Sequence, residues 1–235
     1  MSKSGSSLPW RPSRRVLLFS GPMGSGKTEV AINFALAARR EGVRPVRIVD
    51  LDFVNPYFCA RERAKELGAV GVEVISAPWG RARGDAPVLT PEMVGALKGG
   101  EGLTTVDLGG VPAGGAMLGS LREHLPPEGV EHLFVMNPYR AGTRTPEEAA
   151  EVARAVEEAV GVRITGVVSN PHLGRETRPE EVLAGHPVVE EGARLLSIPV
   201  VFLACSREVA VSLPRGAFST PIFAMDFFVR MPWEG

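Results

Sequence analysis

Cysteine is scarce in this chain, and the two cysteines do not form a recognisable pair. Cys59 and Cys205 lie far apart, and neither belongs to a C-x-x-C motif. We therefore expect neither a disulfide scaffold nor a thiolate zinc site. The scarcity favours a reducing compartment, so we expect a cytoplasmic protein.

Long apolar runs and an excess of either charge are also missing. No stretch approaches the roughly 18 apolar residues of a membrane-spanning helix. Lys and Arg number 26 against 27 Asp and Glu, which gives a net charge of −1. We therefore expect no membrane span, and we do not expect nucleic acid as a partner.

The N-terminus lacks the features of a targeting segment. Residues 1–14 are polar and basic and contain no apolar core of the roughly 7–15 residues that a signal peptide needs. We predict a disordered or loosely packed tail at 1–14, followed by a single domain at 15–235. The domain ends in an apolar tail, residues 221–233, which we expect to pack on the domain itself.

Lysine is scarce as well, but one lysine lies where a phosphate site needs it. The chain has 4 lysines and 22 arginines. Lys27 belongs to residues 21–28, G-P-M-G-S-G-K-T, which fit the phosphate-binding pattern G-x-x-x-x-G-K-[ST]. Residues 16–20 predict a buried strand before the loop, and residues 29–40 predict a helix after it that Gly42 ends. This order of strand, loop and helix is the context that the pattern requires.

Each fixed position of this loop has a physical role in holding phosphate. Glycines let the backbone curl and turn successive N–H groups toward an anion. The lysine can reach the β- and γ-phosphates, and the threonine hydroxyl can bind Mg²⁺. The residues predicted to bind the cofactor here are Gly21, Gly24, Ser25, Gly26, Lys27 and Thr28.

Two aspartates follow the second predicted strand, residues 45–51. Asp50 and Asp52 are two residues apart, which places both side chains on one side of an extended chain. The carboxyl ends of parallel strands face the ligand crevice, so both carboxylates can approach Mg²⁺ and an attacking water. A solvated loop is the alternative, but the nearby phosphate loop favours a site.

A further predicted strand begins at residue 103 and ends at an aspartate. Asp107 opens D-L-G-G, which fits D-x-x-G and ends at Gly110. We predict that Asp107 holds Mg²⁺ through water, opposite Thr28, and that the Gly110 amide can meet the γ-phosphate. The pattern is weak alone, and it gains weight from following the phosphate loop and the aspartate pair.

The strand predicted at 163–170 ends in an amide side chain. Asn170 can both donate and accept, as the N6/N7 edge of adenine requires. Guanine-specific proteins of this kind carry N-K-x-D, which is absent from both N-P-Y-R at 137–140 and N-P-H-L at 170–173. We therefore predict ATP, with Mg²⁺, as the cofactor.

Two loops that contain arginines can each be interpreted in more than one way. Trp79, Arg81 and Arg83 lie in a loop rich in Gly and Pro, which can bind a substrate, partner or phosphate, or can be a plain surface loop. Arg140 and Arg144 lie in another loop, where they can bring positive charge to the γ-phosphate or cap neighbouring groups. The sequence alone leaves both open.

Strand and helix patterns alternate along the chain, and the helices predicted outside the motifs include a short charged surface helix at 59–68, one around 188–197 and a short one after Ser206. We therefore predict an α/β fold with a mostly parallel sheet of about seven strands and helices on both faces. Four segments, F-S-G-P-M-G-S-G-K-T, V-D-L-D-x-x-N-P, T-V-D-L-G-G and G-V-V-S-N, together resemble the MinD/ParA/CobQ/CobB group of P-loop proteins, in the SIMIBI class. The resemblance covers about residues 15–205 and implies the P-loop NTPase fold.

The resemblance also implies roles for individual residues. Lys27 and Asp52 would be catalytic, with Asp52 orienting the attacking water. Asp50 and Asp107 would lie in the outer shell of Mg²⁺, and Asn170 would read adenine. Many relatives carry a second lysine, in G-K-G-G-x-G-K-T, that reaches across a nucleotide-bound dimer, but this chain has Pro22 at that position. Either an arginine replaces that lysine or the protein does not hydrolyse ATP through such a dimer.

Three functions remain open on the sequence. The first is an Mg-ATP-dependent ATPase acting as a switch in the maturation of a metallocentre or cofactor enzyme, with a protein partner or as a homodimer. The second is a small-molecule kinase or ATP-dependent ligase resembling dethiobiotin synthetase. The third is a nucleotide-binding module without turnover, which Pro22 keeps open.

Overall fold

A single parallel sheet forms the centre of the protein. The computed structural model describes residues 8–52, 60–77, 89–109, 121–126 and 129–228. The strands are β1 (Val16–Ser20), β2 (Val46–Leu51), β3 (Val72–Ser76), β4 (Leu103–Leu108), β5 (Glu131–Met136), β6 (Gly166–Ser169), β7 (Val200–Ser206) and β8 (Ile222–Met225). Their order in the sheet is β3-β2-β4-β1-β5-β6-β7-β8. Every neighbouring pair is parallel. The predicted α/β fold is confirmed, with eight strands.

Helices cover both faces of this sheet. They are α1 (Lys27–Arg40), α2 (Ala64–Ala69), α3 (Pro91–Leu97), α4 (Pro146–Val160), α5 (Pro179–Leu196) and α6 (Arg207–Ser212), with short 3₁₀ segments at Ala60–Arg63, Arg122–His124 and Gly174–Glu176. One apolar core contains α1 and Leu67 of α2, and the other contains buried side chains of α3, α4 and α5. Because both faces are covered, the central strand β1 is buried at all five positions.

Local sequence signals place the ends of most helices. The Thr90 hydroxyl accepts a hydrogen bond from the Met93 amide and caps α3. The Thr145 hydroxyl caps α4 in the same way, by accepting from the Glu148 amide at 3.3 Å. The Glu148 carboxylate accepts from the Arg144 amide, one residue earlier than a complete capping box requires.

The prediction was wrong about where α5 begins. A helix was expected from about residue 188, after Pro187, but α5 begins at Pro179 and carries Pro187 inside it. A proline inside a helix removes one backbone donor and need not end the helix when packing holds both halves. Gly185 supplies that packing, since a Cβ there would come within 2.6 Å of Pro171 and 2.9 Å of Pro138.

Aromatic residues near both ends of the described chain pack on the α1 face. Phe223 of β8 lies in the core, with its ring centroid 6.2 Å from that of Phe34 and 5.6 Å from that of Phe202. Trp10, within the predicted tail, has its centroid 6.4 Å from that of Phe34. Residues 1–7 of that tail and residues 229–235 lie outside the described residues, and the domain boundaries stay a prediction. Within the described part of the chain, the helices are too short or too polar to cross a membrane.

A buried histidine joins β1 and β5 below the phosphate loop. His132 Nε2 lies 2.8 Å from Ser20 Oγ, and His132 Nδ1 lies 2.9 Å from the Val162 carbonyl oxygen. A carbonyl can only accept, so Nδ1 carries the proton and Nε2 accepts from the Ser20 hydroxyl. Burial lowers the pKa of His132 to about 4.

This histidine should make the protein sensitive to mild acid. The unfolded chain binds the His132 proton near pH 6.5 and the folded chain only near pH 4, so the free energy of unfolding falls as the pH drops through that window. The full effect is about 3 kcal/mol. In urea titrations at pH 7 and pH 5, His132→Gln should lose this part of the pH dependence. The control His124→Gln, on a peripheral 3₁₀ segment, should keep it, and equal pH dependence in all three proteins would contradict the assignment.

Candidate functional site

The loop between β1 and α1 has the curled backbone that a phosphate site needs. Gly24 and Gly26 have φ angles of 77° and 86°, a region that favours glycine. The Ser25 amide donates to the Pro22 carbonyl at 3.1 Å and closes a turn within the loop. The helix α1 begins at Lys27, two residues earlier than the pattern 29–40 predicted, so its N-terminus opens directly onto the loop.

The loop has no room for larger residues at its glycines. A Cβ at Gly21 would come within 2.5 Å of the Val135 carbonyl oxygen, and one at Gly24 within 2.9 Å of Arg140 Nε. A Cβ at Gly26 would collide with the Asn170 side chain. The three predicted glycines therefore allow residues from the ends of β5 and β6 to lie close to the loop backbone.

Side chains from the ends of β5 and β6 hold the loop from outside. The Gly24 carbonyl accepts from Asn137 Nδ2 at 3.3 Å and from Arg140 Nε at 3.2 Å. The Ser25 carbonyl accepts from Asn170 Nδ2 at 2.7 Å. These bonds fix the carbonyls of the loop on its outer side, so Arg140 caps a neighbouring group, one of the two roles left open for it.

His172 completes this outer contact. Its Nδ1 accepts from the Gly174 amide at 3.1 Å, so its proton is on Nε2, which a Cβ at Gly26 would approach to 3.1 Å. Burial, and then the charge of Arg140, lower the pKa of His172 to about 4. The histidine is therefore neutral at pH 7 and adds no charge to the loop.

The first pair on the inner side joins Thr28 and Asp107. Thr28 Oγ1 donates to Asp107 Oδ2 at 2.6 Å, and both residues are buried. Complete burial raises the pKa of Asp107 to about 7, although Lys27 opposes the shift. A hydroxyl beside a carboxylate is a set of oxygen donors that suits Mg²⁺.

Buried polar atoms at the loop test whether the residues fit a cofactor. Within the described ranges, His172 Nε2 on the outer side of the loop and two oxygen atoms, Asp107 Oδ1 and Ser25 Oγ, are buried and have no hydrogen-bond partner in the protein. Unsatisfied buried groups are uncommon in native proteins, because each costs free energy. Both oxygen atoms can bond to a bound metal or phosphate, so the residues present fit the predicted cofactor.

The second pair joins Lys27 and Asp52. Lys27 Nζ lies 3.8 Å from Asp52 Oδ2, and both side chains are more than 90% buried. Asp52 is also covered by the backbone after β4, since a Cβ at Gly109 would lie 3.0 Å from its Oδ1. The two residues predicted to be catalytic are therefore in contact, at the point where β2 and β4 end.

The sequence did not predict the partner of Asp50. Asp50 lies opposite Asp107 in the β2–β4 ladder, and its Oδ1 forms an ion pair with Arg61 Nη1 at 3.4 Å. Asp50 also accepts from the Arg61 and Asp52 amides at 3.1 Å and 3.0 Å. Burial raises the pKa of Asp50, and Arg61 opposes that shift. Arg61 belongs to the charged surface helix predicted at 59–68, and nothing in its spacing marked it as the partner of Asp50.

Three predicted features lie outside the described residues. They are Gly110, the Trp79–Arg83 loop with Arg81, and the segment 53–59 that follows the aspartate pair. Their predicted roles stay predictions. For Arg144, the structure gives only the backbone bond to Glu148.

Comparison with known proteins shows which solved structures share this fold. Similar solved structures include the cell division protein FtsY of Thermotoga maritima, with a TM-score of 0.54 and 21% identity over 92% of this chain and 67% of that one. Signal recognition particle 54 kDa protein of Aeropyrum pernix, in complex with GDP, has a TM-score of 0.53 and 17% identity over 85% of this chain and 44% of that one. The chain has the fold of the SIMIBI class of P-loop NTPases. This likeness shows the fold alone, and the chain spans less than half of the second protein.

A relative found by sequence comparison carries the name of a different kind of protein. The chain is 28% identical over 248 aligned residues to tRNA dimethylallyltransferase of Erythrobacter litoralis, over 95% of this chain and 76% of that protein. No family model matches the chain. The comparisons therefore show the fold of the chain, and the nucleotide and the activity have to be argued from the site itself.

Proposed function

We propose that this P-loop protein binds ATP with Mg²⁺, hydrolyses it and acts as a nucleotide-dependent switch. The observation that carries the proposal is the buried Thr28–Asp107 pair, whose Asp107 Oδ1 has no partner among the described residues, directly beside the Lys27–Asp52 pair. A cation, a hydroxyl and two carboxylates around a curled glycine loop are the groups that phosphoryl transfer requires.

The inner residues have separate tasks in this proposal. Thr28 and Asp107 would hold Mg²⁺, which would neutralise charge on the phosphates. Lys27 would exchange its contact with Asp52 for the β- and γ-phosphates, and the released Asp52 would orient the attacking water. Asp50 lies in the same acidic centre, where Arg61 holds it in place and balances its charge.

The choice of ATP over GTP rests on Asn170. Its Nδ2 has two hydrogens, of which the Ser25 carbonyl takes one. The other hydrogen and the amide oxygen suit the donor and acceptor of an adenine edge. The GDP in the Aeropyrum pernix structure belongs to that protein, and this chain lacks the N-K-x-D motif that guanine recognition favours.

Replacing Asp52 should lower ATP turnover without lowering ATP affinity. Asp52→Asn should lower the rate of ATP hydrolysis at least about tenfold, because an amide cannot take a proton from the attacking water. Its ATP affinity should hold or rise, because Lys27 no longer has a carboxylate partner to leave. Phosphate release and calorimetric titration measure the two effects, with Glu73→Gln on β3 as a control. An unchanged hydrolysis rate would remove Asp52 from the mechanism, and tight binding without turnover in the wild type would favour a nucleotide-binding module.

The switch proposal includes a partner, either a second protein or a homodimer, and a role in the maturation of a metallocentre or cofactor enzyme. The MinD/ParA resemblance supports it, and Pro22 argues against a lysine supplied by the second subunit. If catalysis is complete within one chain, turnover per molecule should stay constant as the protein is diluted. A fall on dilution would show that the site is completed by another chain.

A group transferase or small-molecule kinase is the second candidate, and the named relative favours it. That relative is a tRNA dimethylallyltransferase aligned over 95% of this chain. Adding candidate metabolites should raise ADP release several-fold if the protein is a kinase, whereas a switch should respond to a protein partner. Transfer of a labelled dimethylallyl group from dimethylallyl diphosphate to tRNA, with diphosphate as the leaving group, would decide for the relative's activity.

A further inference from the structure

The proposed nucleotide site has two sides with different chemistry. In the sheet, β4 and β2 lie on one side of β1, and β5 to β8 lie on the other. Asp50, Asp52 and Asp107 stand where β2 and β4 end, so the metal and the terminal phosphate belong to that side. Asn170, which touches the loop from the end of β6, lies on the opposite side. A nucleotide that crosses the loop therefore brings its base to the side where β6 and β8 end.

The segment after β8 folds back onto the first turns of α1. The Phe228 amide donates to Glu29 Oε1 at 2.9 Å, and Glu29 directly follows the threonine of the loop. Asn33 Nδ2 donates to the Asp226 carbonyl at 2.8 Å, and the Asp226 amide donates to Asn33 Oδ1 at 2.9 Å. Both neighbours of Phe227 are thus tied to the helix that follows the phosphate loop.

Phe227 is exposed in spite of this fixed backbone. It keeps 42% of its surface accessible, so part of its ring is open to solvent. The Arg175 guanidinium carbon lies 4.8 Å from the centroid of its ring, a cation–π contact. Arg175 belongs to the 3₁₀ segment Gly174–Glu176, five residues after Asn170. The two segments that border the base side of the site therefore meet through two flat groups.

We propose that the Arg175–Phe227 pair is the stacking platform for the base of the bound nucleotide. The inference rests on the proposed nucleotide binding and adds the residues that hold the base. Aromatic rings and guanidinium groups both stack on nucleobases, and such stacking tolerates any base because every base has a π face. Phe227 then contributes affinity, while the choice of base is left to Asn170.

Inorganic tripolyphosphate distinguishes the contribution of this platform to binding from that of the phosphate loop, because it carries the phosphates without a base. Calorimetric titration with Mg²⁺ should show that Phe227→Ala weakens ATP binding about tenfold and changes tripolyphosphate binding less than twofold. Phe227→Trp keeps a flat ring and should restore ATP affinity, whereas Phe227→Leu keeps only apolar bulk and should not. Val211→Ala, which truncates an exposed apolar residue on α6, should change neither ligand.

The outcomes that overturn the platform are distinct from failure of the site itself. Unchanged ATP affinity in Phe227→Ala would remove the stacking role while leaving nucleotide binding intact. An equal loss for ATP and tripolyphosphate would show that Phe227 only supports the fold of the loop. A wild-type protein that binds neither ligand would overturn the proposed function, and the platform with it.

Discussion

Replacing Lys27 by alanine should weaken Mg-ATP binding at least about 100-fold and abolish turnover. Lys27 is buried at the start of α1, where its ammonium group meets a carboxylate 3.8 Å away. In a buried site a charge-assisted contact to phosphate is much stronger than in water. A 100-fold loss corresponds to about 2.7 kcal/mol, which is in the range for a buried charged contact.

The variant leaves Asp52 buried without its cation, so a folding control is needed. The double variant Lys27→Ala/Asp52→Asn removes that uncompensated charge and should recover much of the thermal stability, yet still fail to bind ATP. Lys98→Ala, beyond the end of α3, should behave like the wild type in calorimetry and phosphate release. Binding by Lys27→Ala within threefold of the wild type would contradict the assignment of the loop.

Asp107→Asn should stabilise the nucleotide-free protein and at the same time remove the Mg²⁺ dependence of ATP binding. Asp107 is completely buried, and burial raises the pKa of its carboxyl group from 3.8 to about 7. The folded state therefore holds more protons than the unfolded state between these values, and stability falls as the pH rises through 7. An amide carries no charge to bury, so the variant should gain about 1–3 kcal/mol at pH 8.

The same change removes a carboxylate that would hold Mg²⁺ through water. Wild-type ATP affinity should rise at least about tenfold when Mg²⁺ replaces EDTA, whereas Asp107→Asn should bind ATP equally in both conditions. Thermal melting at pH 6 and pH 8 and titration with and without Mg²⁺ measure the two effects. Glu92→Gln, exposed on α3, should change neither. A variant that is less stable and keeps its Mg²⁺ dependence would exclude Asp107 from the metal site.

Periodicity and turn chemistry predicted much of the fold, because most elements bury one face and begin or end at a marked residue. The strand before the phosphate loop and the short helix after Ser206 agree with the structure. The start of α5 was wrong, since a tight contact at Gly185 with neighbouring loops outweighs the effect of Pro187. The eighth strand, Ile222–Met225, has only four residues, and an apolar segment of that length does not show whether it pairs or merely packs.

Sequence patterns predicted those residues of the candidate site that belong to a recognisable motif. The loop pattern and the acidic strand ends identified Lys27, Asp52 and Asp107, which the structure brings together. Arg61 and Asn137 were missed, because their roles arise from distant contacts, to Asp50 and to the Gly24 carbonyl. Contacts of this kind depend on how the loops fold over the sheet. Local sequence patterns do not encode that arrangement of the loops.

Calorimetric titration of the wild-type protein with ATP and Mg²⁺ decides whether the loop binds a nucleotide. We expect saturable binding at one nucleotide per chain, stronger with Mg²⁺ than with EDTA and lost in Lys27→Ala. The absence of heat with ATP, ADP and GTP at millimolar concentration, with Mg²⁺ present, would contradict this expectation.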